Sequence, residues 1–123
     1  MTDGERPIRV LLVEDSEVYR DSLVFLLGMR ADLDVVAAVG DGSAAVRAFR
    51  EHGPDVVVLD HRLPDLDGPA VADDLPEDAA VVFLSASAGR EEYDAASSAG
   101  AALVRKDEGI DALVDAVRRA AGR

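Results

Sequence analysis

The stretch VVVLDHRLPDLDG, residues 56–68, decides how the rest of the chain is read. Val56 to Leu59 form a short, fully apolar run, the pattern of a strand buried on both faces. The run leads straight into a carboxylate, Asp60. His61, Arg62 and a loop punctuated by Pro64 and Gly68 follow. An acid delivered from the end of a buried strand needs a physical reason.

Working outward, apolar runs alternate with helical patterns along the whole chain. Residues 8–14, IRVLLVE, read as a first strand. Residues 16–31 read as a helix that Ser16 can cap, with Val18, Ser22, Phe25, Leu26 and Met29 on one face. Residues 33–39 give a second strand, and GDGS a turn in which Ser43 is a candidate cap. A short helix over 44–51 is stopped by Gly53 and Pro54, and the third strand spans 55–60. After the loop 61–67 comes a weak helical stretch, GPAVADDLP, whose one clear apolar pair is Val71 and Leu75. A fourth strand over 79–85, a polar helix over 90–100 and a fifth strand over 101–105 complete the alternation. The final helix carries Ile110, Leu113, Val114 and Val117 on one face, with arginines near its end that suit the helix dipole.

Five strands alternating with five helical patterns predict an α/β domain, a parallel sheet covered on both faces with right-handed crossovers. The 123 residues suit one domain, expected to span 1–123 with no output module. Apolar residues make up 49%, a globular composition, and the absence of cysteine excludes disulfides and thiolate chemistry. The net charge of −12 disfavours direct contact with nucleic acid. The N-terminal residues lack a signal-peptide core, and no apolar run approaches membrane-spanning length, so a soluble, cytoplasmic chain is expected. Lys106 is the one lysine among 13 basic residues.

In open parallel sheets, ligands bind beyond the carboxyl ends of the strands. The first strand delivers Glu14 and Asp15 there, the third Asp60, the fourth Ser85 and the fifth Lys106. Singly, each has a plain explanation as a cap, a turn former or an exposed charge. Together they put three acids, a hydroxyl and the lone lysine on one rim. Three close acids repel, and a hard divalent cation such as Mg²⁺ relieves that repulsion. A cation beside a carboxylate, a hydroxyl and a lysine is also a phosphoryl-transfer arrangement, with the acid as nucleophile.

On LLVEDS, PDVVVLDHRLPDLDG, VVFLSAS and AGAALVRKD, the chain resembles the receiver domain of two-component response regulators, over about residues 7–121. The resemblance implies a doubly wound, flavodoxin-like sheet in the order 2-1-3-4-5. It implies that Asp60 is the phospho-acceptor, that Asp15 ligates Mg²⁺ directly, that Glu14 does so through water, and that Arg62 supplies its backbone carbonyl. Ser85 would contact the phosphoryl group and act with position 103 as a switch. Lys106 would pair with Asp60 and then with the phosphate. The donor would be a histidine kinase or phosphotransfer protein, the chain acting on itself rather than as an enzyme on other substrates. The downstream partner would be another protein, or a second copy, meeting the 90–121 face, with no membrane involved. The stretch ADLDVVAAVGDG is similar to regulators whose output is a helix-turn-helix DNA-binding domain, and none is expected within this chain.

Three departures from the family pattern stand out. Leu103 occupies a switch position that is usually aromatic, the third helix is short, and Asp107 stands where proline is common. The first two favour an alternative, a degenerate receiver that acts as a phosphorylation-independent interaction module. A haloacid-dehalogenase-type phosphatase needs a second acid where Arg62 stands. A flavodoxin-like flavin binder needs a hydroxyl- and glycine-rich loop where Glu14 and Asp15 would repel phosphate. His52 and His61, far apart in sequence, are expected to be solvent-exposed.

Overall fold

A computed structural model of the chain describes residues 6–86, 89–98 and 100–123. Five strands, β1 (Ile8–Val13), β2 (Leu33–Val39), β3 (Val56–Asp60), β4 (Ala80–Ser85) and β5 (Ala102–Arg105), pair in parallel in the order β2-β1-β3-β4-β5. Five helices alternate with them: α1 (Glu17–Gly28), α2 (Gly42–His52), α3 (Gly68–Asp73), α4 (Arg90–Ser98) and α5 (Ile110–Ala120). A 3₁₀ turn, Lys106–Glu108, lies between β5 and α5 and is an element the residue pattern does not announce.

Strand alternation builds two cores. Ile8, Val10, Leu12, Val56, Val58, Val82, Leu84 and Val104 pack on one face with Leu23 and Leu27 of α1 and Leu113, Val114 and Val117 of α5. Leu11, Val13, Val57, Leu59 and Phe83 pack on the other with Ala45, Ala48, Val71 and Ala96 of α2, α3 and α4. A strand apolar on both faces leaves no room for a polar position until it ends, so polar chemistry collects at the carboxyl rim.

Several local expectations need correction. In α1, Val18, Phe25 and Met29 are 79%, 69% and 67% exposed, and the packing residues are Leu23 and Leu27, with Tyr19 and Val24 partly buried. The helix is apolar on two arcs, and the arc that meets the sheet and α5 is the one centred on Leu23 and Leu27. Ser16 does cap α1, accepting the Tyr19 N–H at 3.3 Å. Ser43 is not the cap of α2. Asp41 is, accepting the Ala44 N–H at 2.8 Å, because a carboxylate one residue before the helix reaches the free first-turn amides. Gly53 ends α2 in the left-handed region at φ 55°, a conformation costly for any residue with a Cβ. His52 and His61 are half-buried rather than exposed, and His61 meets Phe83 edge-on with ring centroids 6.0 Å apart.

The third helix is as short as its sequence indicates, six residues capped by Asp67, with Val71 and Leu75 buried. Its brevity leaves an open groove of roughly 320 Å³ beside Leu75, Val81, Phe83 and Ala101.

Candidate functional site

The rim residues meet in space. Carboxylate oxygens of Glu14, Asp15 and Asp60 all lie within 4.8 Å of one another. Asp15, Asp60, His61, Arg62, Ser85, Ala86 and Lys106 line one cleft of roughly 340 Å³ at the carboxyl ends of the strands. Glu14 forms the buried floor and Asp15 the exposed lip.

Each group is fixed by the turn it stands on. Glu14 continues the inward alternation of Val10 and Leu12. Its Oε2 accepts the Ser16 N–H at 3.0 Å, and its own N–H donates to the Val39 carbonyl at 3.0 Å. The Glu14 carbonyl accepts from Arg20 Nη1 at 2.8 Å, which ties the acidic turn to α1. Asp60 closes β3 with its Oδ1 accepting the Arg62 N–H at 3.2 Å, which turns the chain sharply after the acid. The loop beyond is held by two further contacts. Gly68 donates its N–H to the His61 carbonyl at 2.7 Å, and Asp65 accepts the N–H groups of Gly42 and Ser43 at 2.8 and 3.1 Å. Ser85, buried at the end of β4, forms the cleft wall beside Ala86.

Lys106 Nζ closes the arrangement, 2.8 Å from Glu14 Oε1 and 3.4 Å from Asp60 Oδ2. The charge is out of balance, since one ammonium faces two largely buried carboxylates. Burial pushes the Asp60 carboxyl up to about 6, helped by Glu14 and opposed by the Arg62 amide and by Lys106. Burial pulls Lys106 downward, but Glu14 and Asp60 more than offset it, and its net displacement is upward. Glu14 Oε1 is fully buried, and the Lys106 ammonium is the partner it meets. Three clustered carboxylates against one ammonium leave a surplus of hard oxygen donors, the chemistry that suits a divalent cation such as Mg²⁺.

Leu103 stands apart from the cleft. It is half-buried on the α4 side of the sheet and is the register partner of Phe83. The aromatic bulk absent from position 103 therefore sits on the neighbouring strand, against His61. His61, expected to be exposed, lines the cleft. Two further residues join the site without a signal in the linear pattern: Tyr19 lies under Lys106, with Nζ 4.8 Å from its ring centroid, and Asp65 braces the loop after Asp60. A tyrosine in the first turn of a helix and an acid in a loop are too common to be singled out by spacing.

The sequence model of the response regulator receiver domain matches residues 10–118. A protein-glutamate methylesterase/protein-glutamine glutaminase of Nitrosospira multiformis is 35% identical over 109 residues, covering 84% of this chain and 31% of that protein. The chain thus spans about a third of that relative's length. Among solved structures, a LuxR-family two-component response regulator from Aurantimonas sp. SI85-9A1 superposes with a TM-score of 0.88 at 30% identity, covering 95% of this chain and 87% of that one. The signal receiver domain of the putative response regulator NarL from Mycobacterium tuberculosis superposes with a TM-score of 0.80 at 30% identity, covering 96% and 99%. The response regulator domain of Thermotoga maritima CheB gives 0.83 at 28% identity, covering 96% and 98%. Among the described residues, no helix is long and apolar enough to cross a membrane.

Proposed function

This chain belongs to the response regulator receiver domain family, and from that premise we propose that it accepts a phosphoryl group on Asp60, with Mg²⁺, and changes its binding to a partner as a result. The observation that carries the reading is the cluster itself. Three carboxylates lie within 4.8 Å of one another, and Lys106 Nζ stands 3.4 Å from Asp60 in an open cleft.

In this reading Asp60 is the nucleophile. The Arg62 N–H holds Oδ1, and Oδ2 faces Lys106, so the carboxylate is oriented before a donor arrives. An Asp60 oxygen forms the O–P bond as the P–N bond to a donor imidazole breaks, and the departing nitrogen keeps the electron pair. Lys106 neutralises charge on the phosphoryl oxygens, and the Ser85 hydroxyl contacts the group from the cleft wall. Glu14, Asp15, Asp60 and the Arg62 carbonyl are the groups to hold Mg²⁺, Glu14 through water. When bound, the ion supplies positive charge that relieves carboxylate repulsion and balances the phosphoryl group.

The donor is a histidine kinase or phosphotransfer protein that meets the cleft mouth. Tyr19 in the first turn of α1 meets Lys106 of the cleft, and the same helix carries an exposed apolar strip of Val18, Phe25 and Met29. The strip suits an apolar surface on the protein that brings the phosphoryl group. The signal leaves through the face built from 90–121, toward another protein or a second copy.

A second reading, an interaction module that does not respond to phosphorylation, is favoured by Leu103 and by the short α3. Incubation with Mg²⁺ and phosphoramidate separates the two. The phospho-accepting reading expects one phosphoryl adduct in the intact mass, lost in Asp60→Asn and lost when the metal is chelated. Absence of an adduct in the wild type decides for the second reading.

A further inference from the structure

Among the described residues, the ammonium of Lys106 meets Glu14 Oε1 at 2.8 Å, Asp60 Oδ2 at 3.4 Å, and the face of Tyr19 with its centroid at 4.8 Å. Two are carboxylates that a cation would also engage. The third is an aromatic face, whose attraction for the ammonium survives whatever the acids bind. Both partners of that third contact are held at their backbones. Tyr19 stands in the first turn of α1, its N–H on the Ser16 cap at 3.3 Å. Lys106 opens a 3₁₀ turn whose preceding residue, Arg105, donates its N–H to Glu108 Oε2 at 2.7 Å. The two side chains meet in a groove lined also by Leu23, Leu84, Val104 and Ile110. That apolar lining covers part of the contact from water, and an ammonium–ring contact strengthens as it is desolvated.

We propose that Tyr19 is a positioning residue for phosphoryl transfer. Its ring holds Lys106 Nζ at the mouth of the Asp60 cleft once the acids are engaged by a cation, so that the ammonium is in place to meet an incoming phosphoryl oxygen. The assignment rests on the phospho-accepting reading of Asp60, but it makes a separate prediction for the unphosphorylated protein. Without the ring, a four-carbon lysine stem has many rotamers, and only some bring Nζ to the cleft.

Because Lys106 is the one lysine in the chain, lysine-selective ¹³C labelling yields a single side-chain ε signal. Tyr19→Phe keeps the ring and Tyr19→Leu removes it at similar bulk, with Tyr19→Met as a second ring-free variant should the leucine protein fail to fold. The expected result is an ε-proton signal shifted upfield by the ring in the wild type and in Tyr19→Phe, with and without Mg²⁺, and returned to the ordinary lysine position in the ring-free variant. The ring-free protein should also take up phosphoryl from phosphoramidate about three- to tenfold more slowly, with Tyr19→Phe near the wild-type rate. An ordinary lysine shift in the wild type overturns the proposal, and so does a ring-free variant that is phosphorylated at the wild-type rate. Failure of the wild type to be phosphorylated at all would refute the reading of Asp60 instead, while the shift still reports on the ring contact.

Discussion

Glu14 and Lys106 touch across the sheet rim, Lys106 Nζ lying 2.8 Å from a carboxylate that is completely buried. Glu14 leaves β1, next to the β2 edge of the sheet, and Lys106 leaves β5 at the opposite edge, with β3 and Asp60 at the centre beside β1. The parallel order sends all three strands toward the same rim. The contact spends the only nearby ammonium on the floor of the cleft and leaves Asp60 under-compensated.

A pH dependence of stability follows from that imbalance. The Asp60 carboxyl is raised to about 6 in the folded protein, against about 3.9 for a free aspartate. The folded state therefore holds the proton more tightly than the unfolded chain. The stability this contributes is full below about pH 4 and is lost as pH rises through about 6. With metal chelated, Asp60→Asn should match the wild type near pH 4 and exceed it by about 1–2 kcal/mol at pH 7.5. Urea denaturation of both proteins across that range checks this, and a pH-independent difference would contradict it.

Gly68 is the tightest backbone approach in the cleft loop. A Cβ there would lie 2.7 Å from the Asp60 carbonyl and 3.0 Å from the His61 Cα, both backbone atoms with little freedom to move. Gly68→Ala should cost about 1–3 kcal/mol, the usual range for overpacking. It should also slow phosphorylation from phosphoramidate, because the displaced backbone carries Asp60. Denaturation midpoints and intact-mass time courses measure the two effects.

Arg62 is an exposed residue on the cleft lining, two residues beyond Asp60. On the phospho-accepting reading, a cation on that lining would shield a phosphoryl group on Asp60 from water. Arg62→Ala should shorten the lifetime of the phosphorylated state with little change in stability. The decay of the adduct after donor removal is the measurement, and an unchanged rate removes the role.

Phe25, 69% exposed on α1, contributes little to the core. Phe25→Ser should leave stability within about 0.5 kcal/mol of wild type. If the apolar strip receives the phosphodonor protein, the same change should slow transfer from a phosphorylated kinase or phosphotransfer domain and leave transfer from phosphoramidate intact. Equal rates with both donors would free the strip from that role.

The sheet and its rim were legible in the linear sequence because both depend on local rules. Apolar runs of strand length, such as Val56–Leu59, alternate with helical periods, and a strand buried on both faces expels polar residues to its end. That is how Asp60, Glu14, Asp15 and Ser85 stood out, while Lys106 stood out as the one lysine, and the short α3 was visible in GPAVADDLP. The packing face of α1 was not legible. The helix offers two apolar arcs, and only contact with the sheet and α5 selects Leu23 and Leu27 over Phe25 and Met29. The cap of α2 passed to Asp41 over Ser43 for a local reason, and the half-burial of His61 for a tertiary one, its ring meeting Phe83 from the next strand.

By itself, then, the sequence determined which residues reach the rim, since strand length and alternation are properties of neighbouring residues. The tertiary structure alone decided which rim residues touch: Lys106 on Glu14, Tyr19 under Lys106, and Asp65 on the first turn of α2. Those contacts join segments far apart in the chain. Their distances depend on strand order, helix packing and rotamers, none of which a local pattern encodes.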